Sequence, residues 1–209
     1  MKKTVKIILT IIIVILLLGI YRFNFTDDDI YVKKENGDIV KIKDIKNSKI
    51  VEKKLKTKNG DKITITELHP LGFSLSTIKI NILGNKDTII LRDIDNVKTI
   101  LLKDLNSDNY DELYIITQSA GSGSYGFIYA YTIKNSQLIK INIQPDSLFN
   151  STNYFKGYMG HDSYTFNKSK LIRTFPIYNK NSTNADYTTK IQQQIHYVLR
   201  DNTLVIITE

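Results

Sequence analysis

Three groups of residues in this 209-residue chain have types and spacings that could do chemistry. Gly121, Gly123 and Gly126, within ELYIITQSAGSGSYGFIYAYTIK, have the G-x-G-x-x-G spacing of phosphate-cradling loops. Asp104, Asn106, Asp108 and Glu112 stand at positions one, three, five and nine of a D-x-N-x-D run, the oxygen-rich spacing of calcium loops. His161, Asp162 and Ser163 are adjacent and are the residue types of a hydrolase triad.

Each reading depends on the element that carries the residues. A dinucleotide site needs a strand, the glycines, then a helix whose N-terminus meets the pyrophosphate. FIYAYTIK, which follows the glycines, alternates and is rich in aromatic and β-branched residues, so it predicts a strand. A kinase-type glycine loop does join two strands. However, no H-R-D or D-F-G occurs, and too little chain follows for a second lobe. A P-loop requires G-K-[ST], which is absent. The phosphate readings are set aside.

His161, Asp162 and Ser163 on a strand would point to alternating faces and cannot line up as a triad. A structural His–Asp hydrogen bond near a turn is expected instead. His69 and His196 are isolated and do not suggest zinc. In the D-x-N-x-D run the sixth position is Asn109 rather than Gly, and no Glu stands at position twelve. An Asx-rich turn entering a strand is therefore preferred there. Calcium ligation by Asp104, Asn106, Asp108 and Glu112 is the alternative. No catalytic residue and no cofactor is assigned, because an enzyme needs a convergent acid/base pair and the strands show none.

What remains at the glycines is a loop between two antiparallel strands. A two-residue turn would suffice, yet about eight residues, Gln118 to Tyr125, protrude, and long hairpin loops are often functional. Glycines let the backbone pass close to another surface. Ser119, Ser122 and Ser124 offer hydroxyl donors, and Tyr125 is the one large anchor. Small donors with one aromatic on a rigid hairpin suit recognition of another protein.

The rest of the chain supplies the scaffold. MKKTVKIILTIIIVILLLGIYRF places Lys2, Lys3 and Lys6 before an apolar run, the pattern of a secretory signal or signal anchor. No small-x-small cleavage site follows Gly19 and no lipobox Cys exists, so an uncleaved anchor is favoured, with residues 5–22 in the membrane. The division expected is an anchor over 1–25 and one domain over 26–209. The positive-inside rule keeps the N-terminus cytoplasmic and sends the domain to the periplasm or cell exterior. Without Lys2, Lys3, Lys6 and Arg22 the net charge falls from +8 to +4. That charge is mild and scattered, which argues against nucleic acid. The chain has no Cys, so no disulfide or thiolate chemistry is available.

Beyond FNFTDDD the pattern is almost wholly strand-like. Alternating runs surround Asn36-Gly37 and Asn59-Gly60, the strongest short hairpin signal. Further turns are predicted at Asn135-Ser136, Asn167–Ser169 and Asp201-Asn202. Helical periodicity is confined to residues 147–155. Many short strands at regular spacing predict an all-β, antiparallel, sandwich-like domain. Pro176 marks an edge strand.

DLNSDNYDELYIITQSAGSGSYG, followed by GYMGHDSYTF and LIRTFPIY, resembles the periplasmic inhibitors of invertebrate-type lysozyme. The resemblance covers Leu102 to about Thr208, with YTTKIQQQIHYVLRDNTLVI as its closing strands. It implies an exported, non-enzymatic all-β protein that inserts a loop into the lysozyme active-site cleft. The family's Ser-Gly-x-Tyr motif falls on Ser122, Gly123 and Tyr125, and Ser119 and Ser124 belong to the same loop. His161, Arg173 and Tyr178 lie in the family-like strands and are candidate flanking contacts. The family also admits homodimers that pair through their sheets. A calcium-binding adhesion or propeller-like module is the competing reading. It would require several copies of the D-x-N-x-D turn, and the chain has one convincing copy.

Overall fold

The computed structural model describes residues 31–33, 39–41, 48–149, 154–179 and 191–207. The expected anchor over 1–25 lies outside the described residues. Among the described residues no helix is long and apolar enough to cross a membrane. The chain divides into two units, Met1–Ser48 and Lys49–Glu209. In the first, β1 (Tyr31–Lys33) and β2 (Ile39–Lys41) pair antiparallel, with Tyr31 opposite Lys41. They are the runs predicted on either side of Asn36-Gly37, and the turn expected there lies outside the described residues.

Among its described residues the second unit is all-β, built on one mostly antiparallel sheet of eleven strands. From β3 (Ser48–Lys56) the chain meanders through β4 (Lys62–Pro70), β5 (Leu75–Ile82), β6 (Thr88–Lys103), β7 (Glu112–Gln118), β8 (Gly126–Lys134) and β9 (Gln137–Ile143). It then crosses to the far edge and returns through β10 (Ser163–Asn167), β11 (Lys170–Pro176), β12 (Gln192–Arg200) and β13 (Thr203–Ile207). There β13 meets β9 in the one parallel pairing described. The crossover runs from 144 to 162 and contains a 3-10 turn at Asp146–Phe149, within reach of the short turn expected over 147–155.

Turn chemistry accounts for the registers. Asn135 and Ser136 adopt φ of 52° and 57°, and Asp201 and Asn202 adopt 44° and 58°. Positive φ at both central residues defines a type I′ hairpin, whose twist matches the flanking strands. Lys134 accordingly pairs with Gln137, and Arg200 with Thr203. At Asn59-Gly60 only Gly60 has positive φ, and the loop spans Thr57 to Asp61, closed by the Thr57 amide donating to Asp61 O at 2.9 Å.

β6 serves two neighbours in succession. Its residues up to Asp95 pair with β5 and those from Asn96 pair with β7, with a register shift between Val97 and Thr99. In β7, Glu112 through Thr117 are all buried. Alternation explains this, because side chains two apart share a face. Leu113 and Ile115 join a cluster with Ile63, Ile65, Ile78 and Ile80. Tyr114 joins the other cluster, with Leu171, Phe175, Ile195 and Leu204. The strand that leads into the glycine loop thus has apolar packing on both faces, a rigid mount for whatever follows it.

Pro176 does not lie on an edge strand, since β11 runs between β10 and β12. β10 stops pairing at Ser163 opposite Thr174, so the imide nitrogen of Pro176 stands beyond that ladder. The lost donor is tolerated for the reason that favours edges.

Candidate functional site

The loop between β7 and β8 is fastened at its base and open at its tip. The Ser119 amide donates to Tyr125 O at 2.8 Å, and the Tyr125 amide donates to Ser119 Oγ at 2.8 Å. The Ser119 hydroxyl therefore closes the loop from inside. Above it the Ser124 amide donates to Gly121 O at 2.9 Å, with Ser124 at φ 44°. Gln118 Nε2 donates to Ser124 O at 3.2 Å. Gly123 is buried, Ser124 and Tyr125 are half-buried, and Ala120, Gly121 and Ser122 are exposed. Of the three serines, Ser122 is the one presented at the tip.

The crossover reaches the loop from across the sheet. The His161 amide donates to Gly123 O at 2.6 Å, with His161 at φ 58°. Gly160 adopts φ 97°, and a Cβ there would collide with Gly123 O. Glycine is needed at that position for both reasons. At the foot of the loop the Gly126 amide donates to Asp162 Oδ2 at 2.8 Å. A Cβ on Gly126 would fall 2.8 Å from both Asp162 Cβ and Tyr164 Cε2. The third glycine of the G-x-G-x-x-G spacing thus serves close packing of one strand end against another.

Asp162 is the node of this fastening. Its Oδ1 accepts Arg173 Nε–H at 2.6 Å, and its Oδ2 also accepts the Tyr158 hydroxyl at 2.7 Å. Both members of the Asp162–Arg173 pair are closed to solvent. Arg173 Nη1 donates to both oxygens of Asp146, at 3.0 and 2.8 Å. Burial works against the guanidinium charge, but Tyr164, Asp162, Tyr158 and Asp146 outweigh it and hold Arg173 above its ordinary range. Burial pushes the Tyr158 and Tyr164 phenols up, so both stay protonated donors. The Tyr164 hydroxyl donates to Gly126 O at 3.0 Å.

An aromatic cluster surrounds the pair. Tyr158 packs edge-on to Phe175 at 4.6 Å between ring centroids, and the Arg173 guanidinium lies 4.8 Å from the Tyr158 ring centre. Tyr125 packs edge-on to Tyr158 at 5.8 Å. A cavity of about 400 Å³ opens here, lined among others by Tyr125, Phe127, Ile143, Tyr158, Arg173 and Tyr197. Phe127 and Ile143 are exposed large apolar residues at this cavity.

Of the expected flanking contacts, His161 holds the loop through its main chain and stacks its ring on Tyr178 at 6.0 Å. Arg173 lines the cavity from within. Tyr178 is buried, and its amide donates to Gly157 O at 2.9 Å. Tyr158 and Gly160 were not singled out by sequence. Only Gly160, beside His161-Asp162, carried a local signal, as a candidate for positive φ.

The D-x-N-x-D run forms the Asx turn that the sequence favours. The Asp108 amide donates to Asp104 Oδ1 and to Asn106 Oδ1, each at 3.2 Å. The Asn109 amide donates to Asp104 Oδ2 at 3.2 Å, and the Tyr110 amide to Asp108 Oδ1 at 2.9 Å. Glu112 lies beneath, fully buried, with Oε2 accepting the Leu105 amide at 2.7 Å. Burial first, opposed by that bond and reinforced by Asp108, Asp104 and Asp111, pushes its carboxyl up to about 7.

Compared with protein-family models, curated proteins and solved structures, the chain matches none.

Proposed function

We propose that this protein is an exported inhibitor of lysozyme, of the invertebrate type, that blocks the active-site cleft with the loop Ser119–Tyr125. The observation that carries the reading is the contrast within the loop: an exposed tip at Ala120–Ser122 on a frame tied by six hydrogen bonds, three of them main chain to main chain. A preorganised loop loses little entropy on insertion, which favours tight binding.

The chemistry follows from the target. Retaining glycosidases hold two carboxyl groups about 5–5.5 Å apart across the scissile bond. The Ser122 hydroxyl donates to an ionised carboxylate, a charge-assisted bond stronger than a neutral one. Tyr125 presents its ring beside the cavity and is the second hot spot. Gly123 and Ser124 hold the turn between them. A tight complex buries about 1,200–2,000 Å² in total, more than one loop supplies. Phe127 and Ile143, exposed beside the loop, extend the surface, with His161, Arg173 and Tyr178 supporting it. No catalytic group of the inhibitor takes part, and no nucleic acid is involved.

The same reading takes the folded sheet as sandwich-like, with apolar clusters on the two faces of β7. It places the domain in the periplasm or at the cell exterior, held to the membrane by residues 5–22, with pairing of two copies through sheet edges as a further property. Purified invertebrate-, chicken- and goose-type lysozymes, each titrated with the protein, test it. Inhibition of the invertebrate enzyme is expected, and no effect on any of the three sinks the proposal.

A further inference from the structure

At the opposite end of β7 from the loop, Asp104, Asp108 and Glu112 converge. Each places one carboxylate oxygen within 4.8 Å of the other two. The cluster grades inward, from exposed Asp108 through part-buried Asp104 to fully buried Glu112. Asp111 adds a fourth carboxylate, whose Oδ2 accepts the Lys58 amide at 2.6 Å. Among the described residues the cation in direct contact is Lys58, whose Nζ lies 3.1 Å from Asp104 Oδ2 on a largely exposed side chain.

A crowd of exposed acids would mean little. The independent observation is Glu112 Oε1, which is buried and has no hydrogen-bond partner. A buried carboxyl oxygen left outside hydrogen-bond geometry is costly. The Tyr114 hydroxyl, two residues along the same face, interacts with the Glu112 carboxyl without completing a hydrogen bond of good geometry. Asn109 stands where calcium loops place an invariant Gly for the sharp turn. It adopts φ 69°, the conformation that Gly would supply, and Asn is one of the few residues that tolerate it. An open cavity of about 520 Å³, lined by Asp61, Asp108, Asn109 and Tyr110, adjoins the exposed Asp108 end of the cluster.

We propose that Asp104, Asp108 and Glu112 form a calcium site at the β6–β7 turn. Hard oxygen donors select calcium or magnesium over softer metals. Calcium bonds oxygen at about 2.3–2.6 Å, so two ligands of one ion can stand up to about 5.2 Å apart. The observed separations fit without moving the main chain. Magnesium demands near-ideal octahedral geometry and gives up its water reluctantly, which one turn with a buried glutamate does not suit. Asn106 is not counted as a ligand: its Oδ1 accepts the Asp108 amide at 3.2 Å and its Nδ2 donates to Asp108 Oδ2 at 3.0 Å. The site does not depend on the lysozyme reading, since its residues lie outside the inhibitory loop.

The test is calorimetric titration of the full-length protein, stripped with EDTA, with calcium chloride and separately with magnesium chloride. One calcium per chain is expected, with a Kd on the order of 10⁻⁴–10⁻³ M, the range of extracellular calcium modules. Calcium at about tenfold above that Kd raises Tm by about 3–6 °C. Asp108→Asn, at an exposed position, and Glu112→Gln, which can still accept from the Leu105 amide, should each abolish the heat while remaining folded in EDTA. No heat and no Tm shift in the wild type overturns the site. So does calcium binding that survives both substitutions, and so does a magnesium response equal to that of calcium.

Discussion

Arg173 Nε donates to Asp162 Oδ1 at 2.6 Å across the foot of the loop, with both side chains closed to solvent. The same carboxylate receives the Gly126 amide and the Tyr158 hydroxyl. A buried ion pair is weak evidence for net stability, but removing one partner strands the other charge at a cost of about 3–5 kcal/mol. Asp162→Ala should therefore lose about that much in urea unfolding, by leaving Arg173 with Asp146 alone. A loss below about 1 kcal/mol would mean that water, not Asp162, satisfies the guanidinium.

Gly160 and Gly121 make a matched pair. At Gly160 a Cβ meets Gly123 O and the backbone sits at φ 97°, whereas at Gly121 nothing lies within 4 Å. Gly160→Ala should cost about 1–3 kcal/mol and should weaken inhibition by displacing Gly123. Gly121→Ala should leave stability within about 0.5 kcal/mol. Thermal melts of the two variants side by side check this, and equal melting temperatures would remove Gly160 from the loop's support.

Ser119 and Ser122 look alike in sequence and should behave differently. Ser119→Ala removes the acceptor of the Tyr125 amide, a loss of about 1 kcal/mol in stability. Ser122→Ala, at the exposed tip, should not change the unfolding midpoint. Chemical denaturation of both variants measures the difference.

Lys58 competes with a cation for Asp104. The Asp104 partnership, against some loss from burial, raises the Lys58 ammonium above its ordinary value. Lys58→Gln should tighten calcium binding about two- to fivefold at low salt, with the gain shrinking as salt rises. Weaker binding in this variant would mean that Lys58 supports the site rather than occupying it.

Much of the scaffold was legible because its causes are local. Strand-like runs marked most of β3 to β13, although β6 read as two strands, over residues 87–95 and 97–105, where the structure has one, and Asn135-Ser136 and Asp201-Asn202 announced their turns through residues that tolerate positive φ. The glycine loop was legible as a loop for the same reason: aromatic and β-branched residues follow Gly126 where a nucleotide site needs a helix. Its fastening was not legible. Gly126 and Asp162 are 36 residues apart, and nothing in either segment names the other. Only the return of β10–β13 beside β9 brings the crossover to the loop. Ser119, Ser122 and Ser124 therefore read as equal donors, while the fold turns Ser119 inward and Ser122 outward. Asn109 counted against a calcium loop by residue type, and its φ removes that objection. Pro176 read as an edge marker, and the early end of β10 provides an equivalent position inside the sheet.

The central claim rests on Ser122 and Tyr125. Inhibition constants against purified invertebrate-type lysozyme, for the wild type, Ser122→Ala and Tyr125→Ala, test it most directly. The account predicts inhibition by the wild type and a loss of roughly 30-fold or more in each variant, with folding intact by circular dichroism. Full retained potency in both variants, or no inhibition by the wild type, would contradict it.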